Sequence, residues 1–375
     1  MPPIRFKDIS QIPESTYAPE IAMIVNSVEQ TVKASYEKER QRRAVRFAHA
    51  KSYGIVRASV KIESGLAPEY AQGIYATPAT YEAVIRFSNG LGHLGPDAML
   101  GPIFGTGLKF FRVPGHSLIE NESGVSNFDY AMINAPTFFA NTAKDYVVIE
   151  RLFDALPAPL MDPRTAKTWL HDFLTREGTL PPDQWLWDEL FAVMALGKTP
   201  WRNPLLSSYW TQGAVRHGEY VAKLRLSPEP SAAAQVRIRD LNPLTNPEAV
   251  RDSLVAEIGE HDYSFELQAQ LCVDPLRMPI QNTSIEWSEM LSPFTKIAII
   301  HIPKQDISSP ANLDVADRIS ISPWRTRDDH VPMGEIMTLR REVYRRSAEV
   351  RRQINQQPQK EPSSPNELID QQQRA

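Results

Sequence analysis

From Tyr263 to Val273 apolar and polar residues alternate. Phe265, Leu267, Ala269 and Leu271 fall on one side, and Ser264, Glu266, Gln268 and Gln270 on the other. Successive side chains of an extended chain point to opposite faces, so this stretch predicts a strand with one face against a core. Further β-rich runs occupy Gly54–Ile62, Thr80–Phe87 and Gly107–Val113, and then Val221–Leu226 and Thr295–Ile302, with turn residues between them. They read as antiparallel strands in two batches. Residues 140–200 lie between the batches and carry helical spacing. Tyr146, Val147, Ile149, Leu152 and Phe153 form one stripe. A second helix, from about Gln184 to Leu196, is predicted to turn Trp185, Leu186, Leu190, Phe191 and Met194 inward. Helices are also predicted over about 18–45, ending on the charged run Glu37–Arg43, and over about Gly334–Gln353. Two batches of strands separated by helices give an α+β or a barrel-with-helices architecture. Gln356–Ala375 is rich in Gln, Ser and Pro and is expected to be a disordered tail.

Composition narrows the function classes. With 42% hydrophobic and 23% charged residues over 375 positions, the chain can bury a large core. A net charge of −4 and a pI near 6.1 supply no global basic field for nucleic acid. One cysteine, Cys272, leaves no internal disulfide and no cysteine-cluster metal site. No window approaches about 18 unbroken apolar residues and no apolar leader opens the chain, so a soluble cytoplasmic protein is expected. A His-Glu-x-x-His zinc motif, a phosphate-loop Gly-Lys-Ser/Thr and a Gly-x-Ser-x-Gly elbow are all absent from the sequence. The glycines at 101, 105 and 107 match no nucleotide fingerprint.

Three short segments remain. They are Arg46-Phe-Ala-His49-Ala-Lys51 with Arg86-Phe-Ser88 after it, Asn134-Ala-Pro-Thr-Phe-Phe139, and Arg340-Arg-Glu-Val-Tyr344 continuing to Arg351. Taken singly, each has a bland explanation: a packed histidine, a turn asparagine, and helix neighbours at i and i+4. Their order and spacing together resemble the haem-binding core of the catalase superfamily. The likeness runs from about Arg46 to Phe139, resumes through Trp287 and Thr295-Lys296, and ends on the Arg340–Arg351 helix. Ser322-Pro-Trp324 and Pro332-Met-Gly334 are similar to the lead-in of the shorter catalase-related haem proteins.

This resemblance implies an eight-stranded antiparallel β-barrel with surrounding helices, and haem b between the barrel and the C-terminal helix. It divides the chain into an N-terminal arm and helix (1–45), a haem-binding barrel domain with inserted helices (46–355) and the tail (356–375). It makes Tyr344 the iron ligand and Arg340 the partner of its oxygen. His49 becomes the distal histidine, Asn134 the distal asparagine, and Ser88 the hydroxyl behind the imidazole. Arg46, Arg86 and Arg351 hold the propionates, and Phe139 packs near the haem. The chemistry is coherent with these roles. An arginine one turn away stabilises a phenolate by charge and hydrogen bonding. A neutral imidazole can carry a proton between peroxide oxygens, and buried carboxylates require cations.

The activity so implied is a haem-dependent, peroxide-consuming oxidoreductase acting on hydrogen peroxide or an organic hydroperoxide, with a small organic reductant as optional second partner. A monomer or homodimer is expected, with no nucleic acid and no stable membrane insertion. Around Gly101–Lys109 the channel aspartate of full-length catalases is missing. Ala48 and Gly90 replace the valines usual there, so a wider approach and a shift toward peroxidase-type activity are expected. One alternative is a haem enzyme that rearranges fatty-acid hydroperoxides. Those relatives carry a threonine before the distal histidine, and Ala48 offers no such hydroxyl. The other is a non-catalytic haem-binding barrel, which would not need His49, Asn134 and Ser88 together.

Overall fold

The computed structural model describes residues 1–38, 43–119, 126–154, 162–358 and 360–369. Nine strands are present among them: β1 (Ser52–Ile62), β2 (Thr80–Asn89), β3 (Phe104–Phe110), β4 (Phe128–Ile133), β5 (Tyr209–Trp210), β6 (Val215–His217), β7 (Tyr220–Pro228), β8 (Tyr263–Leu271) and β9 (Thr295–Ile302). They pair antiparallel in the order β5-β4-β3-β2-β1-β9-β8-β7, and β5 pairs back onto β7. That last pairing closes an eight-stranded barrel, with β6 joined to β7 as a hairpin on its side. Closure leaves the eight strands no unpaired long edge.

The alternation at 263–271 sets the inside of the barrel. Phe265, Leu267 and Ala269 are fully buried beside Leu224, Leu226, Phe110 and Phe128. β4 carries no readable alternation because all six of its residues are buried. Its outward Asp129 is held by Lys109, 2.9 Å away, and by Arg325. A strand covered on both faces loses the polar half of its pattern.

Ten α-helices occur among the described residues: α1 (Ala18–Lys38), α2 (Asp97–Leu100), α3 (Ala143–Asp154), α4 (Pro163–Thr175), α5 (Trp187–Gly197), α6 (Pro230–Gln235), α7 (Ala249–Glu260), α8 (Pro310–Arg318), α9 (Glu335–Ile354) and α10 (Pro365–Ile369). α1 places Ile21, Ile24, Val28 and Val32 against Ile336, Leu339, Val343 and Val350 of α9. The i, i+3, i+4 spacing of those apolar residues makes one stripe per helix, and burying both stripes fixes α9 beside the barrel. No helix among the described residues is long and apolar enough to cross a membrane.

Two expectations need correction. α5 begins at Trp187, after a short 3-10 turn at Pro182–Gln184, and buries Glu189, Ala192 and Leu196. Phe191 and Met194 are therefore 59% and 47% exposed rather than inward. The tail is ordered further than its composition suggests. Glu361 is buried against Lys109 (3.0 Å), Arg325 (3.2 Å) and Arg352 (2.8 Å), and Leu368 of α10 packs with Ile55, Val84 and Phe111. One carboxylate and one leucine anchor a segment whose average polarity conceals both. The rest of the tail (residues 359 and 370–375) and most of the charged run after α1 (39–42) lie outside the described residues.

Candidate functional site

The outer face of the barrel carries small residues where β2, β3 and β4 meet. The register aligns Arg86, Gly107 and Ala131 across the three strands, with Ser88 opposite Gly105 one step along. Gly105 and Gly107 are the outward positions of β3. A Cβ on Gly105 would lie 2.3 Å from His49 Nδ1, and one on Gly107 would lie 2.7 Å from Ile321 Cγ1. The glycines thus let an imidazole and an isoleucine lie directly on the strand. Between this floor and α9 is a cavity whose empty space, open solvent included, is about 640 Å³. Its lining includes Arg46, Ala48, His49, Arg86, Ser88, Gly107, Ala131, Tyr344, Ser347, Ala348 and Arg351.

α9 presents Tyr344, Ala348 and Arg351 at helical spacing toward the cavity. Arg340 does not line it, but stands one turn behind Tyr344. Its Nη2 donates to the Tyr344 hydroxyl at 3.1 Å and to the Ala131 carbonyl at 3.2 Å, while Nη1 donates to the Thr211 carbonyl at 3.2 Å. The guanidinium also stacks 5.4 Å from the Tyr344 ring centre. A cation fixed there stabilises the anionic form of the phenol oxygen.

His49 faces the same cavity. Its Nδ1 is 3.2 Å from the Ser88 hydroxyl, which in turn reaches the Gly105 carbonyl at 3.4 Å. With the hydroxyl proton on that carbonyl, Ser88 accepts from Nδ1–H and leaves Nε2 as the free base. Burial pushes the His49 pKa down to about 3, helped by the Arg86 and Arg340 charges. The ring is consequently neutral across the physiological range.

Arg46, Arg86 and Arg351 form the cationic end. Arg46 donates to the carbonyls of Asp317 (2.7 Å) and Ile319, and Arg86 Nε donates to that of Ala316 at 2.6 Å. These acceptors lie at the C-terminal end of α8, whose carbonyls carry partial negative charge. The Asp317 carboxylate is already engaged by Arg43 at 2.5 Å and by the Ser52 hydroxyl at 2.6 Å. Arg351 is 3% exposed, and its Nε and Nη2 are buried with no hydrogen-bond partner among the described residues. Burial and neighbouring Arg352 and Arg86 bring its pKa down to about 9. An anionic ligand group would satisfy those N–H donors and the excess charge.

Besides Arg340, two residues anticipated at the site do not line the cavity. Asn134 ends β4 as a clamp: its Oδ1 accepts from the Phe104 N–H at 2.8 Å, and its Nδ2 donates to the Pro102 carbonyl at 2.9 Å. Phe139 stacks among Phe138, Tyr146 and Phe153 instead. The widening expected from two small residues is halved. Ala48 is exposed and lines the cavity, but a Cβ on Gly90 would lie 2.6 Å from Ile103 Cγ2, so Ile103 fills that space. Conversely, Gly107, Ala131, Ser347 and the supporting Asp317 were not singled out from sequence. The readable signal was two small residues at period two within a strand, Gly105 and Gly107.

No known sequence family and no curated protein matches the chain at significance. Solved structures do. A fungal catalase superposes with a TM-score of 0.58 at 16% identity, over 85% of this chain and 61% of its own. Catalase A from Saccharomyces cerevisiae gives 0.58 at 15% identity, over 86% and 64%, and a bacterial catalase gives 0.58 at 15%, over 85% and 59%. The chain thus has a catalase-like fold and spans about three fifths of the length of these catalases.

Proposed function

We propose that this catalase-like barrel is a haem-dependent, peroxide-consuming oxidoreductase. The observation that carries the reading is one cavity that joins the Tyr344 phenol, the His49–Ser88 pair and three guanidinium groups. These residues fit haem b. Arg351 has buried donors, unpartnered among the described residues, for a carboxylate, and Arg46 and Arg86 add charge for a second one. Among the described residues no group of three or more His, Cys, Asp or Glu side chains could hold a metal. The phenol of Tyr344 with Arg340 behind it is the donor suited to ferric iron.

Haem bound there would supply the redox-active iron at which a peroxide O–O bond is cleaved. The chain's own residues do the proton work. His49 Nε2, neutral because of burial, accepts a proton from the incoming peroxide and returns it to the departing oxygen as water or an alcohol. Ser88 holds Nδ1 in the tautomer that keeps Nε2 basic. Arg340 donates to the Tyr344 oxygen at 3.1 Å and holds the phenol in place. Ala48 at the rim leaves the approach open on one side, which favours hydrogen peroxide together with small organic hydroperoxides. Asn134 enters the reading as the residue that ties the start of β3 to the end of β4.

The test is the optical spectrum of protein produced with haem precursor, together with peroxide consumption. A ferric tyrosinate-type Soret band lost in Tyr344→Phe, with oxygen or oxidised donor formed on adding peroxide, supports the reading. A colourless wild-type protein overturns it. A haem protein that consumes no peroxide leaves the storage-barrel alternative in its place.

A further inference from the structure

We propose that Arg86 is a positioning residue for His49, so that one guanidinium serves both the anionic end of the cavity and the imidazole that moves protons. The inference rests on the reading of His49 given above. His49 has a backbone φ of +59°, a left-handed conformation that non-glycine residues rarely adopt. The connections holding that backbone are few. Its N–H reaches the Gly90 carbonyl at 3.3 Å, a long contact, while its own carbonyl accepts from Arg86 Nη2 at 2.8 Å.

Arg86 is suited to this hold because three of its five N–H donors are fixed. Nε goes to Ala316 at the end of α8, and Nη2 is shared between the His49 carbonyl and the Ser52 hydroxyl at 2.5 Å. Ser52 is fixed in turn by Asp317. The side chain is 3% exposed and lines the cavity, and Nη1 has no protein acceptor among the described residues. Nη1 is thus free for a ligand carboxylate while Nη2 grips the histidine backbone. A lysine could supply the charge but not the fork. The anchor on α8 further ties His49 to the same helix end that holds Arg46.

The experiment uses the full chain with and without haem. In long-range proton–nitrogen spectra of the haem-free protein, Arg86→Lys should move and broaden the His49 imidazole signals. His217 and His330, far from Arg86 in sequence and buried, should stay in place. Ser52→Ala should move His49 in the same way by a smaller amount, and it decides the matter if the lysine variant does not fold. On haem-loaded protein, peroxide consumption per bound haem should fall at least about tenfold in Arg86→Lys, as expected when a catalytic group is displaced by a fraction of an ångström to an ångström. An unmoved His49 signal in the variants that fold overturns the proposal and leaves Arg86 a carboxylate anchor alone. A wild-type chain that takes up no haem overturns the function reading while the imidazole measurement stands by itself.

Discussion

Acidification should destabilise this barrel through three histidines that the fold holds neutral, His217 and His330 buried and His49 half-buried. Burial brings His49 to about 3 and His217 to about 4, and drives His330 well below its ordinary value with His217 and Arg216 adding to the effect. His217 and His330 are buried beside Tyr75, His217 stacked on its ring and His330 edge-on to it, each with an Nδ1 that has no hydrogen-bond partner among the described residues. In the unfolded chain each would titrate near pH 6.5. The folded pKa lies below the unfolded one, so the unfolded state binds the proton first. Stability is full above about pH 6.5 and falls as the pH drops toward the folded values. Each histidine then contributes a slope of about 1.4 kcal/mol per pH unit, about 4 kcal/mol for three. Glu189 opposes one of them. Burial raises its pKa to about 7, so its folded form gains a proton that the unfolded chain does not, and its effect grows as the pH falls through 7. Asp129 and Glu335, also raised by burial, act in the same sense. The differential is cleaner than the sum. Urea unfolding at pH 7.5, 6.5, 5.5 and 5.0 should show a slope smaller by about 1.4 kcal/mol per unit between pH 6 and 5 in His217→Phe, which keeps the ring on Tyr75. A slope identical to wild type would refute the assignment of a neutral, buried His217.

Four other outcomes are expected. His49→Ala, with haem still bound, should lose at least about 100-fold in peroxide consumption per haem, measured by stopped-flow absorbance; unchanged consumption would end the catalytic reading. Gly105→Ala pushes a methyl against the His49 ring and should lower that rate at least about tenfold while haem uptake, followed by the Soret band, persists. Asn134→Ala removes two bonds to strand backbone and should cost about 1–3 kcal/mol in urea unfolding with only a few-fold effect on the rate per haem; the opposite balance would give Asn134 direct contact with substrate. Glu361→Ala removes one of the buried carboxylates that Lys109 and Arg325 share and should cost about 3–5 kcal/mol, so a loss under 1 kcal/mol would show that the tail is no clasp.

The strands that could be read from sequence are those with one covered face. β8 alternates because its outward Ser264, Glu266 and Gln268 remain half-exposed between the buried residues. β4 could not be read because α9 and the ion pairs around Asp129 cover its outer side, leaving six buried residues in a row. The error in α5 has a related cause. Leu186 does pack, but the helix starts after it, so Phe191 and Met194 follow a different phase from the one set by the preceding turn. Spacing alone fixes a period, and the starting residue fixes which face is buried. Glu361 escaped notice for the reverse reason: one buried carboxylate decides the fate of a segment that looks solvated on average.

The cavity residues were legible in proportion to how much of their role lies in their own chemistry. Tyr344, Arg340 and Arg351 sit on one helix, so a spacing of four and seven already assembles them. His49, Ser88 and Arg86 come together only through the pairing of β1 with β2, where Ser52 lies opposite Ser88 and a bulge follows at Gly54. Gly107 and Ala131 have no side chain with which to announce a role; what they contribute is the absence of atoms on adjacent outward positions of two strands. Asn134 shows the converse. A carboxamide at a family-like position has chemistry enough for substrate, yet two of its bonds close the β3–β4 end, so its place in sequence cannot separate a clamp from a contact. The distinction matters for His49 as well, since the ring is held by Ser88 and the backbone by Arg86. On the proposed function, the proton shuttle would therefore depend on a residue whose charge alone would have assigned it only to a ligand's carboxylates.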